Sequence, residues 1–470
     1  MTKRSNKQSQ NSSSSSRPEG ARSDDAALRA AAGQSSLPVM NRRTFITSAA
    51  LGSAAVSGLM PSHAADAASS FVVNLSANVP FYCQEDLVKT CGAACARMTR
   101  NGYPNPADRL LFTEAQVWPL IQSHNSTAAQ DTAWLWYTDP HGLQGCLQHE
   151  LNNPSGVNWV EFANTNKEEL MFSVLYWMNL RRFPTPVLTQ RGLHWVLIVG
   201  YETDVEPILN STPMVELIHF LDPKAAPCPN SPLASPLIME TGSIWLWANA
   251  NSPDPTQIYW GAPVGYSGTW KDQYVAIIEP PTIRGKVRVK SVNRTGSVPL
   301  SPDKAVERAR QAIKERRLGD RKQYSLLSQP NVDTLPAMLV REGTADGSAK
   351  DVPYYYIVPF ARPGEKKGGR SVARVCVLVN AFTGEFEGAI AFGGPVRYLS
   401  KAEALNVVAS KLRTDPKDLK DASAILVFQP SEITNVRALP FWRVAVKGRT
   451  FFVDQNGKLY DRLSLGRPGN

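Results

Sequence analysis

Residues 79–98 read VPFYCQEDLVKTCGAACARM, and the placing of one thiol in them decides how the rest of the chain is read. Cys91, Ala94, Cys95 and Met98 recur at helical spacing and Asn101-Gly102 supplies a stop, so the pattern predicts a helix that opens on Cys91 and ends at Asn101. A thiol attacks only as thiolate, and the unpaired N–H groups and dipole at a helix start favour that anion. Gln84, seven residues upstream, is the candidate donor, together with the Cys91 backbone N–H, for an oxyanion formed when sulfur attacks a carbonyl. Two plainer readings stay open: Cys91 as a buried helix cysteine, and Gln84 as a solvated loop residue.

Residues 167–180 are predicted as a second helix, and LHWVLIVGY (193–201) and VELIHFL (215–221) as buried strands. If those strands pair antiparallel about Ile208, His194 stands directly opposite Asp222. Opposed Cβ atoms lie roughly 4.5–5.5 Å apart, close enough for a carboxylate to fix an imidazole tautomer. His194 is then the base for Cys91 and Asp222 the residue that orients it, although an Asp before Pro223 is also an ordinary turn former. His219 faces away from Asp222 on a regular strand and is a weaker base candidate. Cys95 lies one turn beyond Cys91 and packs in a core more readily than it attacks. Trp195 either shields the His194–Asp222 pair or is plain core. Cys376, in VCVLV, reads as inert core. No CxxC pair exists, and His124, His141 and His149 around Cys146 fit no metal-ligand spacing, so neither a metal nor an organic cofactor is expected.

These residues resemble the papain-like cysteine proteases of bacteria, in particular the bacteriocin-processing peptidases and the plant-pathogen effector proteases. The upstream Gln is Gln84. The Cys-led helix is Cys91-Gly92-Ala93-Ala94-Cys95, the His opening an apolar strand is His194 in GLHWVLIVGYE, and the acid ending the next strand is Asp222 in HFLDP. The resemblance spans 78–280. It implies an α+β fold with a helical half bearing the cysteine and an antiparallel sheet half bearing His194 and Asp222. It also implies hydrolysis of peptide bonds through a thioester, with a peptide or protein as substrate. The same residues would serve acyl transfer to amines. A papain-like shell that binds a wall component or partner protein without catalysis is the alternative from another class.

A domain boundary is expected at Pro280-Pro281, since adjacent prolines break any element. After a linker (281–298) the chain repeats itself. LSPDKAVERARQAIKERRL from Leu300 matches LSKAEALNVVASKL from Leu399, both Leu-Ser openings of amphipathic helices. VPYYYIVPF from Val352 matches LPFWRVAV from Leu439, and VLVNAFTGEFEG from Val377 matches FFVDQNGKLYD from Phe451, each with a Gly turn (Gly384, Gly457). Units 299–396 and 397–470 resemble PepSY domains, which implies a restraining partner for a secreted peptidase. The Tyr354–Tyr356 run reads as a half-buried strand rather than a stacking platform.

The 470 residues carry a net charge of +10, unevenly spread. Residues 68–280 hold 10 basic and 19 acidic side chains, residues 281–470 hold 33 and 18. The basic end is therefore expected to dock on the acidic middle of its own chain. No nucleic-acid motif accompanies the charge. Residues 1–39 are Ser-, Gln- and Ala-rich without aromatics and read as disordered. Arg42-Arg43, a weakly apolar stretch to Met60 and small residues to Ala67 resemble a twin-arginine export signal (40–67), which implies a secreted or cell-envelope protein starting near Ala65 or Ala68. No apolar run reaches the roughly 18 residues of a membrane span. Six cysteines suit an oxidising compartment, but the pairing among Cys83, Cys95, Cys146 and Cys228 is open.

Overall fold

Small side chains let the Cys91 helix sink into the protein. In α1 (Cys91–Asn101) every residue but Arg97 is buried, because Gly92, Ala93, Ala94 and Ala96 leave room for neighbours to close in. Around it lie α2 (Glu114–His124), opened by a Thr113/Gln116 capping box, and α3 (Pro140–Gln148), capped by Asp139 through Gly142 N–H. A further helix, α4 (Lys167–Arg181), is capped by Asn166, carries Glu168 and Glu169 in its first turn and ends with Arg181, each of these charges on the side the helix dipole favours. Its middle, Leu170 to Leu175, is wholly buried, as expected of a helix apolar on all sides. The computed structural model describes residues 71–86, 89–109, 113–126, 136–149, 153, 156–225, 236–246, 260, 264–265, 269–291, 298–343, 353–419, 421–464 and 469. The expected disordered lead, the export signal, Cys228 and part of the 281–298 linker lie outside the described residues.

The strands of the first part are β1 (Phe71–Asn74), β2 (Val160–Asn164), β3 (Thr185–Thr189), β4 (His194–Thr203), β5 (Val215–Leu221), β6 (Leu237–Thr241) and β7 (Tyr274–Ile278), with a short α5 (Gly242–Trp245) after β6. All ten residues of β4 are buried, which is why its sequence runs apolar instead of alternating. Helix α1 packs against β4 and so brings Cys91 towards the His194 end of that strand.

The later chain adds α6 (Pro302–Glu315), then β8 (Asp333–Thr334), β9 (Met338–Glu342), β10 (Pro353–Ala361), β11 (Lys366–Lys367), β12 (Arg370–Ser371), β13 (Ala373–Asn380) and β14 (Phe386–Val396). After these come α7 (Lys401–Leu412), β15 (Ser423–Phe428), β16 (Phe441–Val446), β17 (Arg449–Val453) and β18 (Leu459–Tyr460). Ser301 and Ser400 cap α6 and α7, and each helix packs on the strands that follow it. The hairpin glycines Gly384 and Gly457 have φ of 71° and 80°, a backbone that disfavours side chains.

One mostly antiparallel, open sheet runs β18-β17-β16-β15-β9-β10-β13-β14-β6-β5-β4-β3-β7-β2, with β1 on β4 and β8 on β10. Among the described residues, only β15 and β9 pair parallel along it. The prolines at 280 and 281 fall in the loop after β7, yet the sheet continues across both parts of the chain because β14 pairs with β6, Gly388 facing Glu240 and Ile390 facing Ile238. Residues 66–470 accordingly form one compact unit. Side chains reinforce this seam. Arg437, wholly buried, is paired with Glu240 of β6 at 3.0 Å and with Glu387 of β14. Arg321 is paired with Glu202, and the Tyr324 hydroxyl donates to the Leu237 carbonyl at 2.6 Å.

The β4–β5 register corrects the expected one. Leu197 faces Leu221 and Ile198 faces Phe220, with an irregularity before Gly200–His219. Asp222 therefore does not stand directly opposite His194. The shift is two positions on the partner strand, which returns a side chain to the same face of a period-two strand. His194 and Asp222 still meet, but diagonally.

Candidate active site

Cys91 is the first residue of α1. Its N-cap, Thr90, makes no side-chain cap, and the first turn holds no acidic residue. The local field of the helix start is thus left for the sulfur. Sγ accepts the Trp195 backbone N–H at 3.3 Å, a bond that ties the helix start to the strand. Trp195 Nε1 in turn donates to the Thr138 carbonyl at 2.9 Å. Gly92 makes the close approach possible: a Cβ there would lie 2.3 Å from Thr138 Cγ2.

His194 opens β4. Its Nε2 lies 2.9 Å from Asp222 Oδ1, and the ring is also hydrogen-bonded to Cys91. With Nε2 taken by the carboxylate, Nδ1 is the nitrogen left for sulfur. Burial, the largest single influence, pushes the imidazole down; Asp222 and then Cys91 push it up by more, and it is raised to about 9. Asp222 Oδ1 also accepts the Lys224 backbone N–H at 2.7 Å, which fixes the carboxylate in the turn after β5. Cys91, His194 and Asp222 all have 0 % exposure. Gln84 is buried in the loop before α1. Its backbone N–H donates to the Pro223 carbonyl at 3.3 Å, so it sits at the turn that holds Asp222. Its Nε2 donates to the Asp86 carbonyl at 3.0 Å in this arrangement.

The other thiols are held in their protonated form. Burial pushes Cys95 well up, with Cys91 and Asp222 adding to it. Burial likewise raises Cys146 and Cys376 to about 12. Cys83 is disulfide-bonded while Cys95 and Cys146 are free, which removes a Cys83–Cys95 pair from the alternatives. His219 is buried on the β4–β5 pair with Nε2 3.0 Å from Glu202 Oε1 and 3.4 Å from Arg321, as part of the seam. Among the described residues no group of three or more His, Cys, Asp or Glu is placed to hold a metal ion, and no helix is long and apolar enough to cross a membrane.

Three further residues surround the sulfur. Lys224 is buried, and burial, the leading influence, lowers its ammonium pKa against the opposing pull of Cys91, Asp222 and Glu432. The Asp-Pro-Lys turn is the signal that would have pointed to it. Thr138 floors the site, and Gly469, 378 residues along the chain, presents its carbonyl oxygen to Cys91 Sγ at 3.6 Å. Neither carries a sequence signal: Gly469 acts through its backbone, and Thr138 through its carbonyl and its packing on Gly92.

No protein-family profile matches this chain, and no curated protein matches it either. Among solved structures, the Bacillus megaterium YpeB C-terminal domain matches with 10% identity over 50% of this chain and 86% of that one. The TM-score is 0.14, and at that value the likeness carries no argument about fold or activity.

Proposed function

We propose that this chain is an exported thiol hydrolase acting on peptide or amide bonds, with Cys91 as nucleophile, His194 as base and then acid, and Asp222 as the residue that orients the ring. The observation that carries the reading is the chain of contacts from the α1 start to His194 to Asp222. His194 takes the Sγ proton, and sulfur attacks the substrate carbonyl carbon. The charge on the former carbonyl oxygen is met by first-turn N–H groups of α1 and by Gln84, once its amide turns from Asp86. The imidazolium gives its proton to the leaving amine, and water then cleaves the thioester with His194 again as base. In this reading residues 78–280 are the papain-like part and 299–470 are two PepSY-like units.

The complete burial of Cys91, His194 and Asp222 favours the second reading, a silent module that binds a partner. Iodoacetamide labelling near pH 6, in non-reducing buffer, separates them. An ordinary thiol of pKa about 8.5 is only about 0.3% ionised there. A fully formed thiolate gains a few hundredfold in anion and loses about ten- to twentyfold in intrinsic reactivity, leaving roughly tenfold or more. Labelling is read in the full chain with Gly469→Ala, which removes the cover over the sulfur. Hydrolase behaviour means that Cys91 labels ahead of Cys95, Cys146 and Cys376 and slows about tenfold with His194→Ala. Slow labelling of all four, indifferent to His194, ends the proposal.

A further inference from the structure

We propose that Gly469 is a built-in inhibitor of the Cys91 site, whose carbonyl caps the sulfur until it is displaced. The inference rests on the hydrolase reading and adds its regulation.

Both backbone groups of Gly469 are engaged at the site. Its N–H donates to the Gly192 carbonyl at 2.7 Å, two residues before His194, and its carbonyl oxygen accepts from Cys91 Sγ at 3.6 Å. A thiol has one proton. Directed at Gly469, that proton competes with its transfer to His194, and the oxygen lone pairs facing the sulfur disfavour attack from it. The contact is not poised for cleavage. Attack requires the carbonyl carbon within about 3–3.5 Å of sulfur and the oxygen turned to its donors, whereas a hydrogen bond turns the oxygen itself towards sulfur. Gly469 therefore occupies the place of a substrate carbonyl without offering a bond to break.

The fit is specific to glycine. Gly469 has φ of +66°, and a Cβ built on it would lie 2.0 Å from the Thr138 carbonyl oxygen, which is backbone and already fixed by Trp195 Nε1. The same Thr138 packs on Gly92 next to the nucleophile, so Gly469 closes a layer directly over Cys91. Five residues earlier, the Ser464 carbonyl accepts the Glu432 N–H at 2.9 Å.

The test compares three proteins by Cys91 labelling with iodoacetamide at pH 6: the full chain, the full chain with Gly469→Ala, and the chain shortened to end at Ser464. The expected result is that both variants label at Cys91 about tenfold faster or more than the unaltered chain, and that adding His194→Ala removes the gain. If the unaltered chain already labels as fast as the variants, in a His194-dependent way, the inhibitor proposal is overturned and the hydrolase reading stands. If Cys91 labels slowly and without regard to His194 in all three, both fall together. A gain shared by Cys95, Cys146 and Cys376 reports a loosened fold and also counts against the inhibitor.

Discussion

Replacing Arg437 by methionine tests whether the two parts of the chain are locked through the sheet seam. The guanidinium has 0 % exposure, as has Glu240, and bridges Glu240 at 3.0 Å and Glu387 while lying 4.1 Å above the Tyr355 ring. Burial works against its charge, but the two carboxylates outweigh that and raise its pKa. Methionine fills much of the volume and removes the charge. Breaking a buried pair from one side costs about 3–5 kcal/mol, because a charge stays buried without its partner. Two carboxylates are stranded here, but Glu387 keeps the Asn380 Nδ2 donor at 3.0 Å. One carboxyl can also take up a proton at about 1.4 kcal/mol per pKa unit. The expected loss at pH 7.5 therefore stays near about 3–5 kcal/mol rather than doubling. Urea unfolding followed by tryptophan fluorescence measures it. At pH 5.5 the loss should shrink, since proton uptake becomes cheaper, and Glu240→Gln with Glu387→Gln in the same chain should restore most of it. A loss below about 1 kcal/mol, or one that neither acid nor the double substitution relieves, would refute the reasoning.

Three other outcomes follow from named contacts. His194 is raised from 6.5 to about 9 in the fold, so its contribution to stability is fully present below 6.5 and is lost as pH rises through about 9. The Tm advantage of the unaltered chain over His194→Gln should fall across that window, and a flat difference would contradict the pairing. Glu202 is pushed down to about 2: burial opposes this, but hydrogen bonds from His219 and Arg321 prevail. Its stabilisation is present above the usual 4.5 and is lost as pH falls through about 2, so acid unfolding of Glu202→Gln should lack that component. Gly92→Ala places a Cβ 2.3 Å from Thr138 Cγ2 and should cost about 1–3 kcal/mol by overpacking, read by thermal unfolding.

Local chemistry made several elements legible. The helical spacing and the Asn101-Gly102 stop bound α1 at Cys91–Asn101, and the apolar run with its polar flanks bounded β5 at Val215–Leu221. Capping serines marked the openings of α6 and α7 for the same reason: caps and periodicity act within one turn or one pleat. Cys91, His194 and Asp222 could be proposed as a set because each sits at the end of such an element, and the structure brings those three together.

What the chain does over long separations was decided only in three dimensions. The β4–β5 pair is set two positions off the expected register from its loop end onwards, which moved His194 and Asp222 from direct opposition to a diagonal contact, and the strand sequences do not encode that slip. The pairing of β6 with β14 joined the sheet across the two prolines, because edge strands are matched by exposed backbone groups that every sequence shares. Arg437 read as one basic residue among many, and only its two buried partners make it a lock. The sequence by itself determined which elements form and which thiol opens a helix. Tertiary structure decided that Gly192, Thr138 and Gly469 enclose that thiol, since backbone carbonyls and missing side chains do their work through position and leave no mark in the residue pattern.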